Sequence, residues 1–249
     1  MRIPRIYLDT TLTEGAQITL PADRFNYLRN VLRLRDEQVV CVFDGRDHQA
    51  QARLQLGRRD GFLMVDQVIQ QGCESPLNTH LLQAMAKGEK MDWVIQKAVE
   101  LGVHRITPIA TERSVVELKA ERADKRHARF IDIAISACEQ SGRNTLPRID
   151  PITPLEEALT QVAATCRWIL HPVTPDSPSS EITAPGTAAV LIGPEGGFTD
   201  QELDLARQHA FEAVQLGPRV LRTETAGLVA LTALQLRWGD FARTPTDAT

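Results

Sequence analysis

Residues 1–72 alternate short apolar runs with turn residues, a pattern typical of small β-rich domains. The runs long enough to form strands are Arg5–Leu8, Ala16–Leu20, Gln38–Phe43, His48–Leu56 and Phe62–Ile69. One helix interrupts them after Pro21 and places Phe25, Leu28, Val31 and Leu32 on one face. Several strands and one short helix within this length predict a small β-barrel over residues 1–72.

Residues 77–249 change to a regular alternation of strands and helices. The predicted strands are Thr79–Met85, Arg105–Ala110, Trp168–His171, Ala188–Ile192 and Ala213–Leu216. The predicted helices are Glu89–Leu101, Glu121–Gln140, Leu155–Ala164, one beginning at Thr199, and Thr223–Trp238. Residues 172–186 contain four prolines and are predicted to form a loop. This alternation predicts an α/β domain with a mostly parallel sheet covered by helices.

The composition narrows the class of protein. Hydrophobic residues make up 43% of the chain and charged residues 24%, which is typical of soluble globular proteins. No apolar run is long enough for a membrane span, and the first residues, MRIPRIYLDT, lack a signal-peptide core. The four cysteines form no CxxC pair and have no histidine at ligand spacing. We therefore expect a cytoplasmic protein with reduced thiols, no membrane association and no metal site.

The net charge of −4 argues at first sight against a nucleic-acid partner. The acidity is concentrated, however, in residues 150–249, which carry 13 acidic and 6 basic side chains. Residues 76–149 carry 12 basic and 9 acidic side chains instead. Such asymmetry suggests one surface facing a polyanion, although solvated helix faces would produce the same counts. The total charge therefore excludes only RNA binding by bulk charge.

Two glycine-containing loops follow predicted strands, where ligands of open α/β sheets bind. The first, residues 192–198, reads Ile-Gly-Pro-Glu-Gly-Gly-Phe and precedes a capping box formed by Thr199 and Glu202. The second spans residues 216–226. The first loop does not have the spacing of a dinucleotide-binding or P-loop motif. Tight turns before capped helices would explain both loops equally well.

The second loop also carries an Arg-Thr-Glu sequence at the start of the last helix, where Thr223 is the expected N-cap. Arg222 and Glu224 could form a simple surface ion pair. Alternatively, they could supply a cation that stabilises a developing anion and a carboxylate that takes a proton.

Four ordered motifs together closely resemble the RsmE family of ribosomal RNA small-subunit methyltransferases, which belongs to the SPOUT superfamily. The motifs are residues 87–102, 139–143, 192–198 and 216–226. The N-terminal residues 2–8 and the stretch 26–33 fit the family too, with Asn26 where many relatives have histidine. The resemblance covers nearly the whole chain.

This resemblance implies a PUA-like RNA-binding β-barrel at residues 1–72. It also implies a SPOUT methyltransferase domain with a deep C-terminal trefoil knot at residues 77–249, acting as a homodimer. The implied reaction is S-adenosylmethionine-dependent methylation of a uridine at N3 in the 16S ribosomal RNA of the small subunit, with no metal. The implied cofactor-binding residues are Leu170, His171, Pro172, Ile192, Gly193, Pro194, Glu195, Gly196, Gly197, Leu216, Gly217, Val220, Leu221 and Thr225.

The reaction requires that the N3 proton leave and that negative charge spread onto the neighbouring carbonyl oxygens. We expect Glu224 to accept the proton, directly or through water, and Arg222 to stabilise the anion. Glu195 is the competing base, although orientation of its loop is the favoured role. The residues expected to contact RNA are Arg2, Arg5, Arg29, Arg33, Lys87, Lys90, Lys97, Arg113 and Arg143.

Three other interpretations remain open from the residues themselves. The chain could be a knotted ribose 2′-O-methyltransferase, a non-catalytic RNA-binding or ribosome-assembly factor, or an unrelated nucleotide-binding α/β enzyme. The dimer also stays open, since Leu228, Leu231 and Leu234 on the last helix suit either a subunit interface or the core.

Overall fold

The computed structural model describes residues 3–69, 72–114, 120–171 and 184–241. The chain divides into two compact units. The first consists of Met1–Glu74 together with Cys138–Leu146, and the second of Ser75–Ala137 together with Pro147–Thr249. The strand pattern alone does not predict that residues 138–146 join the first unit.

The first unit is built on a five-stranded sheet. Its strands are β1 (Arg5–Tyr7), β2 (Gln17–Thr19), β3 (Val39–Phe43), β4 (Gln49–Leu56) and β5 (Gly61–Ile69). Their order is β1-β3-β4-β5-β2, in which β1 and β3 are parallel and the other pairs antiparallel. Alternate residues of β4 (Ala50, Ala52 and Leu54) are fully buried, because successive side chains of a strand point to opposite faces. Each strand predicted in this region is present.

The helix of the first unit is irregular. It begins as α1 (Ala22–Asn26) and continues as a π-helical turn over Tyr27–Val31. Phe25 and Leu28 are buried, as the apolar pattern predicts. The prediction that Val31 lies on the same buried face is wrong, since 66% of its surface is exposed. The wider π turn takes its own last residue, Val31, off the 3.6-residue period.

The second unit contains a seven-stranded sheet in which every pair is parallel. Its strands are β6 (Asn78–Ala84), β7 (Arg105–Ala110), β8 (Arg148–Ile149), β9 (Thr153–Pro154), β10 (Cys166–Leu170), β11 (Thr187–Ile192) and β12 (Glu212–Val214). The order is β12-β10-β11-β6-β7-β8, with β9 paired to β7. The predicted parallel sheet is confirmed, and the two-residue strands β8 and β9 were too short to be predicted.

Among the described residues, five helices accompany this sheet: α2 (Lys90–Glu100), α3 (Ala120–Ser141), α4 (Leu155–Thr160), α5 (Asp200–Gln208) and α6 (Thr223–Trp238). The capping box predicted at the start of α5 is present, with Thr199 accepting a hydrogen bond from the Glu202 backbone and Glu202 accepting one in return. The prediction that Thr223 caps α6 is wrong: Arg222 is the N-cap, and Thr223 is the first helical residue.

The last helix packs on α2, β6 and β11. Leu228, Leu231 and Leu234 are therefore part of the core, whereas Val229 and Leu236 remain exposed. Within the described residues, no helix is long and apolar enough to cross a membrane. The same part of the chain contains no group of three or more histidine, cysteine or acidic side chains able to hold a metal ion.

Candidate active site

The carboxyl ends of four parallel strands form one row across the second sheet. Val214 of β12 lies opposite Leu170 of β10, which lies opposite Ile192 of β11. Ile192 in turn lies opposite Gln83 of β6. Because ligands of open parallel sheets bind beyond the carboxyl ends of their strands, this edge is the expected position for a site.

A cavity of about 490 Å³ opens at this edge. It brings together most of the residues predicted from the family resemblance to hold the cofactor, namely Leu170, His171, Ile192, residues 193–197, Val220 and Leu221. A second cavity of about 170 Å³ shares Leu170, His171, Val220 and Leu221 with it and adds Leu216. Gly217 and Thr225 line neither cavity. Pro172 lies outside the described residues.

The loop after β11 is shaped by its glycines. A Cβ atom on Gly193 would come within 3.0 Å of the Phe198 ring, so a larger residue would force the loop away from that ring. Gly197 has a φ of +71°, a left-handed conformation that favours glycine. Its N–H donates to the carbonyl of Pro194 over 2.9 Å and closes a turn. This tight turn exposes the backbone of residues 193–197 to the cavity.

The same loop is tied to the start of α6. The hydroxyl of Thr223 donates to the Gly193 carbonyl over 2.6 Å, and Thr223 itself is buried. The carbonyl of Arg222 accepts the N–H groups of Thr225 and Ala226 and so begins the helix. Thr225 therefore belongs to the first helical turn, where it supports the site without lining it.

Lys90 joins Glu195, which lines the cavity with it, to Glu224, which is not among the lining residues. Its Nζ lies 3.3 Å from Glu195 Oε1 and 3.2 Å from Glu224 Oε2. The close contact with the Glu224 carboxylate raises the pKa of Lys90. Partial burial of the Glu195 carboxyl opposes its ionisation, but hydrogen bonds from its own backbone and from Lys90 outweigh that effect and lower its pKa. The site thus contains two carboxylates held by one ammonium group.

The comparisons with known proteins agree with this architecture. The family model described as the RNA methyltransferase domain matches residues 73–235, and the one described as the RNA methyltransferase PUA domain matches residues 20–62. Ribosomal RNA small subunit methyltransferase E of Buchnera aphidicola is 33% identical over 96% of this chain and 96% of its own length. The Bacillus subtilis protein of the same name is 31% identical over 92% of this chain and 95% of its own. This chain belongs to the ribosomal RNA small subunit methyltransferase E family.

Solved structures of similar proteins extend the finding to the fold. A ribosomal RNA small subunit methyltransferase E from Neisseria gonorrhoeae, solved bound to S-adenosyl methionine, has a TM-score of 0.89 and 40% identity, covering 96% of this chain and all 100% of that one. A Legionella pneumophila protein solved with the bound cofactor SAM has a TM-score of 0.92 and 36% identity, with coverages of 97% and 100%. The family resemblance seen in the sequence is confirmed.

Two basic residues predicted to contact RNA lie in the wall of the cavity or against one of its loops. Lys90 lines it, as described above. Arg113 lies beside the loop after β11, where its Nη1 donates to the carbonyl of Gly196 over 3.0 Å and to that of Phe198 at 3.4 Å. The sequence pattern could not separate these residues from other surface cations, because their partners lie about a hundred positions away along the chain.

The remaining RNA candidates of the methyltransferase domain lie on α2 or just before it. Lys87 is exposed. Lys97 forms an ion pair with Glu100 over 2.7 Å.

In the first unit, Arg29 and Arg33 are exposed. Arg5 is half-buried over the Phe43 ring and donates to Asn144 over 2.7 Å. Arg143 is only 3% exposed and pairs with Glu74, so its assignment to an RNA surface is corrected: its guanidinium is already enclosed. Arg2 lies outside the described residues.

Several lining residues were not predicted as site residues at all. They are Phe198 and Thr223 in the larger cavity, Val214, Gln215, Pro218 and Arg219 in the smaller one, and Ala226 in both. Most of them are adjacent in sequence to predicted cofactor-binding residues. The sequence therefore predicts the position of the loops correctly but underestimates their extent. The side chain of Thr223 had been assigned only a capping role.

Proposed function

We propose that this chain is an S-adenosylmethionine-dependent methyltransferase that methylates a uridine at N3 in the 16S ribosomal RNA of the small subunit. The observation that carries the proposal is the cavity of about 490 Å³ between two glycine-containing loops, with Lys90 and Glu195 at its wall and Glu224 ion-paired to the same lysine. Family membership supports the reaction class, and the S-adenosyl methionine bound to the similar Neisseria gonorrhoeae enzyme supports the cofactor.

The residues present fit this cofactor. The cavity lies within the range of roughly 300–1,000 Å³ that is usual for small-molecule sites. Glycines at 193, 196 and 197 leave backbone groups accessible for hydrogen bonding. The charged carboxylate of Glu195 at the wall suits a ligand that bears a sulfonium cation.

We assign cofactor binding to the three strand-end loops already described. Leu170 and His171 come from the first, residues 192–197 from the second, and residues 216–221 from the third. Gly217, with a φ of +82°, shapes the third loop. Pro172 is retained from the family resemblance. When bound, the cofactor supplies an electrophilic methyl group.

The chain's own residues must then handle a proton and a charge. N3 of uridine lies on the Watson–Crick edge, so the base must be unpaired or withdrawn from its stack. Glu224, 15% exposed and ion-paired with Lys90, is the assigned acceptor of the N3 proton, directly or through water. Arg222, which lines the cavity, stabilises the resulting anion. Glu195 orients the loop that carries it.

The first domain, residues 1–72, is assigned as a PUA-like β-barrel that binds the RNA. The match of residues 20–62 to the PUA domain model supports this, as do the exposed Arg29 and Arg33. On the methyltransferase domain, residues 77–249, the exposed Lys87 is assigned separately as an RNA contact. Arg143 is left out because its guanidinium is enclosed.

The higher-order features also follow from the family. We assign a C-terminal trefoil knot to the methyltransferase domain, a homodimer as the working form and the cytoplasm as the compartment. Val229 and Leu236 support the dimer, because they are seven residues apart on the outer face of α6 and both are exposed. Exposed apolar side chains on one helix face suit an interface.

The test is transfer of a labelled methyl group from S-adenosylmethionine to small ribosomal subunits that lack the modification, followed by digestion of the RNA to nucleosides. Label in N3-methyluridine supports the proposal. Label on a ribose 2′-oxygen would overturn the assigned position while leaving methyl transfer intact. If the protein bound RNA but transferred no methyl group to naked RNA or to subunits, it would be a non-catalytic factor instead.

A further inference from the structure

Gln83 is a fully buried polar side chain directly behind the candidate active site. It lies near the carboxyl end of β6 and is opposite Ile192 in the sheet register. Ile192 is the residue directly before the loop that begins at Gly193. Glutamine is seldom fully buried, and when it is, its amide is normally satisfied by hydrogen bonds. The presence of a glutamine at this buried position therefore needs a specific explanation.

The Gln83 amide begins a hydrogen-bond relay that reaches the cavity. Its Nε2 donates to Thr223 Oγ1 over 2.9 Å, and Thr223 Oγ1 donates to the Gly193 carbonyl over 2.6 Å. A hydroxyl carries a single hydrogen, so Thr223 can donate to Gly193 only if it accepts from Gln83. The relay therefore has one direction and fixes the orientation of the glutamine amide.

The other end of the amide is not satisfied in the same way. Gln83 Oε1 is buried and has no hydrogen-bond partner among the described residues. A Cβ atom on Gly227 would come within 2.8 Å of it, so the glycine allows α6 to approach this oxygen. A buried oxygen without a partner destabilises a fold, and an apolar residue of similar size would serve the core better.

We propose that Gln83 is a positioning residue for the cofactor site, an inference that rests on the proposed cofactor binding. Through Thr223 it holds the Gly193 carbonyl and the first turn of α6 at a fixed separation. Both Gly193 and Thr223 line the cavity. The relay thus pre-forms the space between the two glycine-containing loops, so that binding does not have to order them.

Gln83→Met tests the proposal, because it keeps the length of the side chain and removes both polar atoms. Isothermal titration with S-adenosylmethionine is expected to show about a tenfold weaker Kd than wild type. The melting temperature is expected to be unchanged or higher, since the unpartnered oxygen is removed as well. A purely structural glutamine would instead lower the melting temperature without a specific loss of affinity.

Gln235→Met provides a matched control. Gln235 is 1% exposed, and its amide bonds Ser75 Oγ and the Leu101 carbonyl, neither of which lines the cavity. This change is expected to lower the melting temperature and leave the Kd unaltered. An equal loss of affinity in both variants would show that general loosening is responsible, and would overturn the proposal.

Variants of Thr223, the second residue of the relay, provide a test that does not depend on Gln83→Met alone. Thr223→Val should weaken binding about as much as Gln83→Met does, whereas Thr223→Ser, which keeps the hydroxyl, should bind like the wild type. The double variant Gln83→Met with Thr223→Val should bind about as weakly as either single variant. If Gln83→Met bound the cofactor as tightly as the wild type, or if the losses of affinity in the two single variants simply added in the double variant, the relay would be overturned. The proposal of cofactor binding would be unaffected. Absence of binding heat in the wild-type protein would overturn the proposed function and this inference together.

Discussion

Lys90 Nζ lies 3.2 Å from Glu224 Oε2, a carboxylate whose side chain is only 15% exposed. The same ammonium group lies 3.3 Å from Glu195 Oε1. Of the two carboxylates, only that of Glu195 lines the cavity, and Lys90 connects it to Glu224 behind the lining. The structure places Lys90 in the wall of the cavity, and its contact with RNA stays a prediction.

Replacement of Lys90 by methionine is expected to lower the kcat/KM of methyl transfer by roughly 10- to 100-fold. The change removes the cation that holds Glu224 and Glu195, and a lost contact to a charged group costs about 1.5–3 kcal/mol. Methyl-transfer assays measure the rate. RNA affinity and its dependence on salt are expected to change little.

Lys97→Met is the control on the same helix, because Lys97 pairs with Glu100 and does not line the cavity. Its single-turnover rate at saturating RNA should equal that of the wild type. Equal rates in the two variants would contradict the role given to Lys90. A reduced salt slope in Lys90→Met alone would show that this residue does contact RNA.

Glu224→Gln is expected to slow the single-turnover rate by roughly 10²- to 10⁴-fold at saturating cofactor, because the amide cannot take the N3 proton. Rapid-quench measurement of labelled methyl transfer gives this rate. Glu195→Gln is the matched comparison and should weaken cofactor affinity more than it slows the chemical step. If the rate of Glu224→Gln were unchanged, proton acceptance would have to be reassigned.

Arg113 and the pair Arg29 and Arg33 are expected to affect different ligands. Arg113→Gln removes a donor to the carbonyls of Gly196 and Phe198 and should weaken cofactor binding several-fold, with an unchanged RNA salt slope.

The double change Arg29→Gln and Arg33→Gln is expected to do the opposite. It should reduce the slope of log affinity against log salt by about 2 and leave cofactor titrations unaltered. Each variant is the control for the other. Parallel losses of cofactor and RNA affinity in both variants would contradict this division.

Local patterns predicted those elements that depend on neighbouring residues. The last helix was predicted at Thr223–Trp238 and is found there, because a glycine-containing loop ends where a long apolar segment begins. The capping box of Thr199 and Glu202 was also predicted correctly. By contrast, the π-helical turn at Tyr27–Val31 was not predicted, since it obeys no simple periodicity.

Residues far apart in the chain were harder to place. Lys90 meets Glu195 and Glu224 only after the sheet has formed, and no spacing rule connects these positions. Arg143 carries the same charge as an exposed arginine, and only the structure shows that Glu74 encloses it. Gln83 lies in an apolar strand, where its neighbours predict a purely structural role.

The outer face of α6 should control the oligomeric state. Val229 and Leu236 are 37% and 54% exposed, and replacing both with aspartate would place two charges in the proposed interface. Light scattering after size-exclusion chromatography should show a dimer for the wild type and a monomer for this variant. Val31→Asp, a change at another exposed apolar residue, should remain dimeric. A wild-type monomer at micromolar concentration would contradict the proposed dimer.

His80 is the group expected to make the fold sensitive to acid. Its Nε2 lies 2.7 Å from Thr107 Oγ1, and because Thr107 donates to Asp150, the histidine must be the donor. Burial lowers the pKa of His80 from 6.5 to about 3, with Arg105 and Arg148 adding to the shift and Asp150 opposing it.

Between pH 6.5 and about 3, the unfolded chain binds a proton at His80 that the folded chain does not. The free energy of unfolding should therefore decrease as the pH falls through this window, by something on the order of a few kcal/mol in total. His80→Gln keeps a donor for Thr107 and has no proton to gain, so its melting temperature should fall less between pH 7.5 and 5. Thermal denaturation at several pH values measures both curves. If the two proteins lost stability in parallel, carboxylates elsewhere would be responsible and His80 would have to be protonated in the folded state.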